Sequence, residues 1–288
     1  MNGKPIITMR LQTTLINPVY YDNEEMYKAY PRAKLPANMD RLPVKFMKGN
    51  AGTQLEDLNS LGYRCDELTK DHDGLHVLFG GCSYTWGSGL LVEETWSKKL
   101  YNRLNLEEKC SGYFNVAFPG SSVFIQIFDI IRYCETYGNP DVIFYNIPGL
   151  NRFFGVEIDQ ETEKPFDPPM IGNTLISFDS EAIPVVRFMS YQYYYMLEKY
   201  CKSNNIKLFS FSWMPDHFFR DLSSQEESPI NDFYVYKRED ILKYVTEYVL
   251  NHKDEKWVKI SRDGQHWGTA YNQFWADFIY NKYKEKCV

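Results

Sequence analysis

The sequence lacks several features that would assign it to a specialised class of protein. It has no apolar run long enough to cross a bilayer and no Cys-x-x-Cys pair, so neither a membrane-spanning helix nor a common zinc motif is expected. It also has no excess of positive charge, since the formal net charge is −6, whereas proteins that hold nucleic acid by its phosphates need a basic face. We therefore expect no nucleic-acid partner, no membrane contact, and neither a metal ion nor another cofactor.

The first residues and the cysteines bear on the compartment of the protein. Met1-Asn2-Gly3-Lys4 lacks the continuous apolar core of a secretory signal, so we expect a cytoplasmic protein as synthesised, with association with a virus particle as an alternative. The six cysteines are scattered along the chain without the close spacing of a disulfide framework. We interpret them as reduced, partly buried thiols.

The chain divides into an irregular beginning and a regular remainder. At 288 residues it can bury a large core, which suits one α/β domain with an accessory segment. Residues 1–74 start with a β-branched stretch and continue with Pro-punctuated sequence, so we predict an N-terminal arm that could bind a protein partner or mediate self-association. Residues 75–288 form the predicted main domain.

Strand and helix patterns alternate five times in the main domain, which predicts a parallel sheet covered by helices on both faces. Residues 152–184 interrupt this alternation, because they contain several prolines and acids without clear periodicity. We predict that they form a long insertion beside the substrate pocket. The predicted strands lie near 76–79, 113–118, 141–147 and 207–212, and residues 257–260 are predicted to form a short fifth strand or an extended segment. The predicted helices lie near 94–104, 121–134, 186–200, 240–251 and 269–286.

Four short motifs follow predicted strands or precede the last helix. They are Gly81-Cys82-Ser83, Gly120, Gly149-Leu150-Asn151 and Asp263-Gly264-Gln265-His266. In an open α/β sheet the carboxyl ends of the strands form the ligand site, so the four motifs are expected to lie close together. They contain the residue types that a serine hydrolase needs.

A serine hydroxyl becomes a good nucleophile when a histidine takes its proton and a carboxylate orients that histidine. Ser83, His266 and Asp263 can fill these three roles, while Gly120 and Asn151 can donate hydrogen bonds to a developing oxyanion. Each motif alone also fits a plain turn or a helix cap, and their joint order favours the hydrolase interpretation. The other histidines have no compelling ligand spacing and are interpreted as ordinary residues.

In their order and composition the four motifs resemble those of the SGNH hydrolase superfamily, also called GDSL esterases and lipases. The resemblance implies a flavodoxin-like three-layer α/β/α fold with a mostly parallel sheet of about five strands. It also implies that Ser83 is the nucleophile of a triad with Asp263 and His266. By the same resemblance, the oxyanion hole consists of the backbone N–H groups of Ser83 and Gly120 and the side-chain amide of Asn151.

The chain departs from the family pattern at two positions. Cys82 stands where the family has Asp, and Arg152 stands where an Asp follows Asn151. Neither position supplies the triad or an oxyanion donor, and Cys82 should point away from Ser83 because neighbours on an extended turn face opposite ways. We expect Arg152 at the rim of the substrate pocket, together with Tyr84 and Trp267. Upstream, Asn59 to Arg64 resembles a segment that precedes the first motif in some relatives.

These observations predict a metal-independent serine esterase. The expected substrates are short acyl esters, with O-acetyl groups on a carbohydrate favoured over long acyl chains, because the mean hydropathy of −0.47 does not suggest a broad apolar surface. Two alternatives stay open. One is an O-acyltransferase that uses the same acyl-enzyme, and the other is a catalytically silent structural or binding module in a larger assembly.

Overall fold

The computed structural model describes residues 59, 61, 63–156, 171–175, 183–213, 238–252, 257–261 and 266–287. Within these ranges the chain forms six strands and six α-helices. In chain order they are β1 Val77–Gly80, α1 Ser83–Trp86, α2 Trp96–Glu107, β2 Phe114–Asn115, α3 Val123–Tyr137, β3 Val142–Ile147, β4 Arg152–Val156, β5 Ile171–Leu175, α4 Ile183–Ser203, β6 Lys207–Ser212, α5 Arg238–Asn251 and α6 Thr269–Cys287.

The centre of the domain is a parallel sheet with the strand order β2-β1-β3-β6. Phe79, Phe144 and Phe209 lie side by side on three adjacent strands. Because the chain winds outward from β1 in both directions, the order is that of a flavodoxin-like doubly wound sheet. The predicted α/β class with a parallel sheet between helical layers is confirmed.

One face of the sheet is covered by α2 and α6 through aromatic rings. Trp96 of α2 contacts Phe79 with 5.6 Å between ring centroids, and Trp275 of α6 stacks on Phe211 at 4.6 Å. All four rings are almost completely removed from solvent. Each contributes on the order of 2–3 kcal/mol by burial, so this aromatic layer is a main source of the stability of the fold.

The other face is covered by α3 and α4. Ile130 of α3 packs against Gly80, where an added Cβ would lie 2.9 Å from the Ile130 Cδ1 atom. Tyr194 of α4 stacks over Tyr145 of β3 at 6.5 Å. The N-terminus of α3 is capped, since the Ser122 hydroxyl accepts a hydrogen bond from the Ile125 N–H at 3.4 Å.

The structure adds detail to two local predictions. The predicted strand at residues 257–260 does not join the sheet: only Ile260 forms an isolated antiparallel bridge, to Trp267, so the parallel sheet of the described residues has four strands rather than five. The predicted insertion at residues 152–184 contains regular structure, because β4 and β5 pair in antiparallel register. No helix in the described part of the chain combines the length and apolarity needed to span a membrane.

Part of the predicted N-terminal arm contributes to the core of the main domain. Tyr63 and Cys65 are buried in the same hydrophobic cluster as β1 and β2, and the Asp66 carboxylate accepts a hydrogen bond from the Tyr113 N–H at 2.8 Å. Residues 1–58 of the expected arm lie outside the described residues.

Candidate active site

The first motif forms a tight turn between β1 and α1. Gly81 has a φ of +149°, and a Cβ atom there would lie 2.3 Å from the Thr85 hydroxyl oxygen and 2.8 Å from the Asn146 carbonyl oxygen. Only glycine fits this position, because both the backbone conformation and the lack of space exclude a side chain. The turn places Ser83 at the first position of α1, with its side chain 4% exposed.

A buried glutamine of α3 holds this turn in place. The Gly81 N–H donates to the Gln126 side-chain oxygen at 2.9 Å, while the Gln126 amide nitrogen donates to the Val116 carbonyl at 3.3 Å and to the Ser121 hydroxyl at 3.1 Å. Gln126 is fully buried. It therefore connects the Ser83 turn to the loop that carries Gly120. In the sequence, Gln126 could have been noticed as a polar residue among the apolar residues Val123, Ile127 and Ile130 of this helix.

The loops with Gly120 and Asn151 lie next to the Ser83 turn. The Phe118 N–H donates to the Gly81 carbonyl at 3.2 Å, which joins the Gly120 loop to the turn. Gly120 has a φ of +80°, and a Cβ atom there would meet nothing within 4 Å. The space beside Gly120 is therefore open, as access to its backbone requires.

Arg152 connects the Asn151 loop to the Gly120 loop. Its backbone N–H closes a turn by donating to the Gly149 carbonyl at 3.1 Å, and its Nη1 atom donates to the Ser121 carbonyl at 3.4 Å. Asn151 and Arg152 are both half-buried. The third motif thus reaches back across the carboxyl edge of the sheet toward the second.

The first and last motifs meet in a hydrogen bond. The His266 Nε2 atom lies 2.8 Å from the Ser83 hydroxyl oxygen, although the two residues are separated by 183 positions in the sequence. When Nδ1 carries the imidazole proton, Nε2 accepts this bond, which is the arrangement of a nucleophile and its general base. Asp263, the predicted third member, lies outside the described residues.

Half-buried aromatic side chains form a wall beside His266. Tyr84 stacks on Trp213 with 4.2 Å between ring centroids, and it also contacts the rings of His266 at 4.9 Å and Trp267 at 4.7 Å. Tyr84 and Trp267 were expected at the pocket rim, whereas Trp213 was not. Trp213 could have been predicted from the sequence, because it directly follows β6 at the carboxyl edge of the sheet. We call Tyr84, Trp213 and Trp267 the aromatic wall.

A buried arginine supports α1 from the other end. The Arg64 guanidinium donates to the carbonyl oxygens of Trp86, Gly87 and Leu90 at 3.3, 3.0 and 2.9 Å. Its side chain is 1% exposed. Arg64 ends the segment from Asn59 that resembles one in some relatives, and the sequence predicts no role for its side chain. The structure makes it a support for the loop that follows the nucleophile.

Cys82, His72 and His76 are further groups that could carry chemistry. Cys82 is fully buried beside Ser83. His72 and His76 stack at 3.5 Å, but they precede β1 and so lie at the opposite end of that strand from Ser83. Burial, together with the charge of His72, lowers the pKa of His76 to about 4. Among the described residues, no three His, Cys, Asp or Glu side chains are grouped so that they could hold a metal ion.

Comparison with known proteins returned structural similarities only. No protein-family model matches the chain, and no curated protein matches its sequence. Solved structures that align with it include the psychrotrophic esterase EstA from Pseudoalteromonas sp., at 14% identity over 73% of this chain and 96% of EstA, with a TM-score of 0.44.

TesA aligns at 14% identity over 73% of this chain and 98% of its own, with a TM-score of 0.43. The acetyl xylan esterase AlAXEase aligns at 18% identity over 72% of this chain and 98% of its own, with a TM-score of 0.42. The resemblance to the SGNH hydrolases lies in the order of the four sequence motifs.

Proposed function

We propose that this protein is a metal-independent serine esterase. The observation that carries the proposal is the 2.8 Å contact between the Ser83 hydroxyl oxygen and the His266 Nε2 atom. In the proposed reaction, Ser83 attacks the ester carbonyl while His266 takes the hydroxyl proton and then passes it to the departing alcohol. Water, activated by His266 in the same way, releases the acyl group from Ser83. Asp263 orients His266 and stabilises its charged form.

The oxyanion formed in each step needs hydrogen-bond donors that are already in place. As the first residue of α1, Ser83 has a backbone N–H with no helical carbonyl to receive it. Two observations support Gly120 and Asn151 as the other two donors. The space beside Gly120 is open, and Asn151 ends the loop between β3 and β4. We assign the oxyanion hole to the N–H groups of Ser83 and Gly120 and to the Asn151 side-chain amide.

The proposed substrate is a short acyl ester, such as an O-acetyl group, carried by a sugar. The aromatic wall supports this choice, because the apolar faces of aromatic rings can pack against a sugar ring while their polar atoms bind hydroxyl groups. All three residues of the wall are half-buried rather than sealed in the core. The contact of Tyr84 with His266, at 4.9 Å between ring centroids, places this surface beside the proposed general base.

The first experiment combines hydrolysis of p-nitrophenyl acetate with labelling by a fluorophosphonate probe. We expect the unaltered protein to release acetate and to be labelled, and we expect Ser83→Ala to lose both, because the probe reacts only with an activated serine. Cys82→Ala is the matched control and should keep both, since its buried thiol takes no part. A well-folded protein that is neither labelled nor active would contradict the esterase proposal and favour a binding or structural module.

A further inference from the structure

Among the described residues of the site, Arg152 is a cation whose position is defined by the two loops that border the proposed oxyanion hole. Arg152 directly follows Asn151, and its guanidinium donates to the carbonyl of Ser121, the neighbour of Gly120. The sheet order β2-β1-β3-β6 puts the Gly120 loop on one side of Ser83 and the aromatic wall on the other. The guanidinium therefore contacts the Gly120 loop at the carboxyl edge of the sheet, the edge that also carries Ser83.

The charge of this guanidinium has no counter-ion in the part of the chain that the structure describes. Among the described residues its polar partner is the neutral Ser121 carbonyl at 3.4 Å, which uses one of the five N–H donors of a guanidinium. By contrast, Arg103 on α2 pairs with the Asp277 carboxylate at 3.0 Å. Arg152 is half-buried, which leaves it accessible to a ligand and reduces its competition from water.

We propose that Arg152 binds a carboxylate of the substrate, so that the preferred ester is an acylated sugar acid rather than a neutral sugar. A guanidinium matches a carboxylate with two parallel hydrogen bonds. In a chain with a net charge of −6, this cation also attracts an anionic substrate to the proposed site. The inference rests on the proposed function, because it assigns the substrate class of the same site.

The test compares two ligands that differ only in the charged group: O-acetyl galacturonate and O-acetyl galactose, acetylated at the same position. Binding is measured by calorimetry with the Ser83→Ala protein, which leaves the ligands intact. We expect the uronate to bind about tenfold more tightly, a modest figure because solvent reaches the half-buried arginine. The preference should fall as salt is added, since salt screens an accessible charge pair.

Three further variants in the Ser83→Ala background assign the preference to the guanidinium. Arg152→Gln should abolish it, and Arg152→Lys should retain part of it, because lysine keeps the charge without the two-pronged geometry. Lys202→Gln is the matched control: it removes one positive charge in the last turn of α4, at the opposite end of β6 from the site, and should keep the full preference. Equal affinity for the two ligands, or a preference that survives Arg152→Gln, would overturn the inference.

The two proposals can fail separately. If Arg152-dependent binding of the uronate is found but the unaltered protein hydrolyses neither ester, the Arg152 inference stands and the esterase proposal is wrong. If the unaltered protein hydrolyses both sugar esters with equal kcat/KM and the Ser83→Ala protein binds both equally, the esterase proposal stands and the Arg152 inference is wrong.

Discussion

At the scale of single residues, the assignment of Asn151 can be tested most directly. We expect Asn151→Ala to lower kcat for p-nitrophenyl acetate by about a hundredfold to a thousandfold, because one donor to the oxyanion is lost. The KM should change much less, since the oxyanion exists only after attack on the carbonyl.

Asn139→Ala is a suitable control for Asn151→Ala. Asn139 is exposed before β3, where its side chain donates to the Asn204 side-chain oxygen. Its replacement should leave kcat within about twofold. Full activity of Asn151→Ala would show that this side chain is not an oxyanion donor.

At the scale of secondary-structure elements, the turn between β1 and α1 is the most constrained part of the site. We expect Gly81→Ala to lower the free energy of unfolding by about 2–3 kcal/mol or more, because the backbone conformation is unfavourable and the new methyl group meets the Asn146 carbonyl. Activity should fall as well, since relief of the contact moves Ser83 away from His266. Urea unfolding and kcat measurements test both effects.

Gly120→Ala provides the comparison for stability. Gly120 also has a positive φ, but a Cβ atom there would meet nothing within 4 Å, so only the conformational cost of about 1–2 kcal/mol is expected. An equal loss of stability in the two variants would contradict the role assigned to close packing around Gly81.

At the scale of the whole molecule, His76 couples the stability of the domain to pH. Its ring is buried among three segments: it stacks on His72, its Nε2 atom lies 2.7 Å from the Tyr133 hydroxyl of α3, and its backbone N–H donates to Asp141 at the start of β3. Burial and the charge of His72 lower the pKa of His76 to about 4. In the unfolded chain His76 therefore binds a proton near pH 6.5, whereas in the folded protein it stays neutral until the pH is much lower.

This difference in pKa makes the folded protein more stable at neutral pH than in acid. The stabilising contribution is complete above about pH 6.5 and is lost as the pH falls toward 4, by up to about 3 kcal/mol. We expect His76→Gln, which cannot titrate, to lose less stability than the unaltered protein between pH 7.5 and 4.5 in urea unfolding. His252→Gln, at the end of α5, is the control and should keep the full pH dependence. If His76→Gln kept it too, His76 would not be the group responsible.

The sequence by itself determined the layered α/β class, most helices, and β3 and β6 to within a residue at each end. These elements can be predicted because the spacing of apolar residues along the chain shows which helix face, or which whole strand, is buried. It also showed that Ser83, Gly120 and Asn151 each follow a strand. The doubly wound topology then requires that they share one edge of the sheet.

Only the tertiary structure decided how the site is connected. The contact of Ser83 with His266, the bonds of Gln126 to two loops and the reach of Arg152 to Ser121 join residues far apart in sequence, and no local pattern specifies them. Whether residues 257–260 form a strand or an extended segment is decided in the same way, since strand pairing depends on contacts with distant parts of the chain. Long-range geometry, unlike local burial, is fixed by the packing of the whole domain.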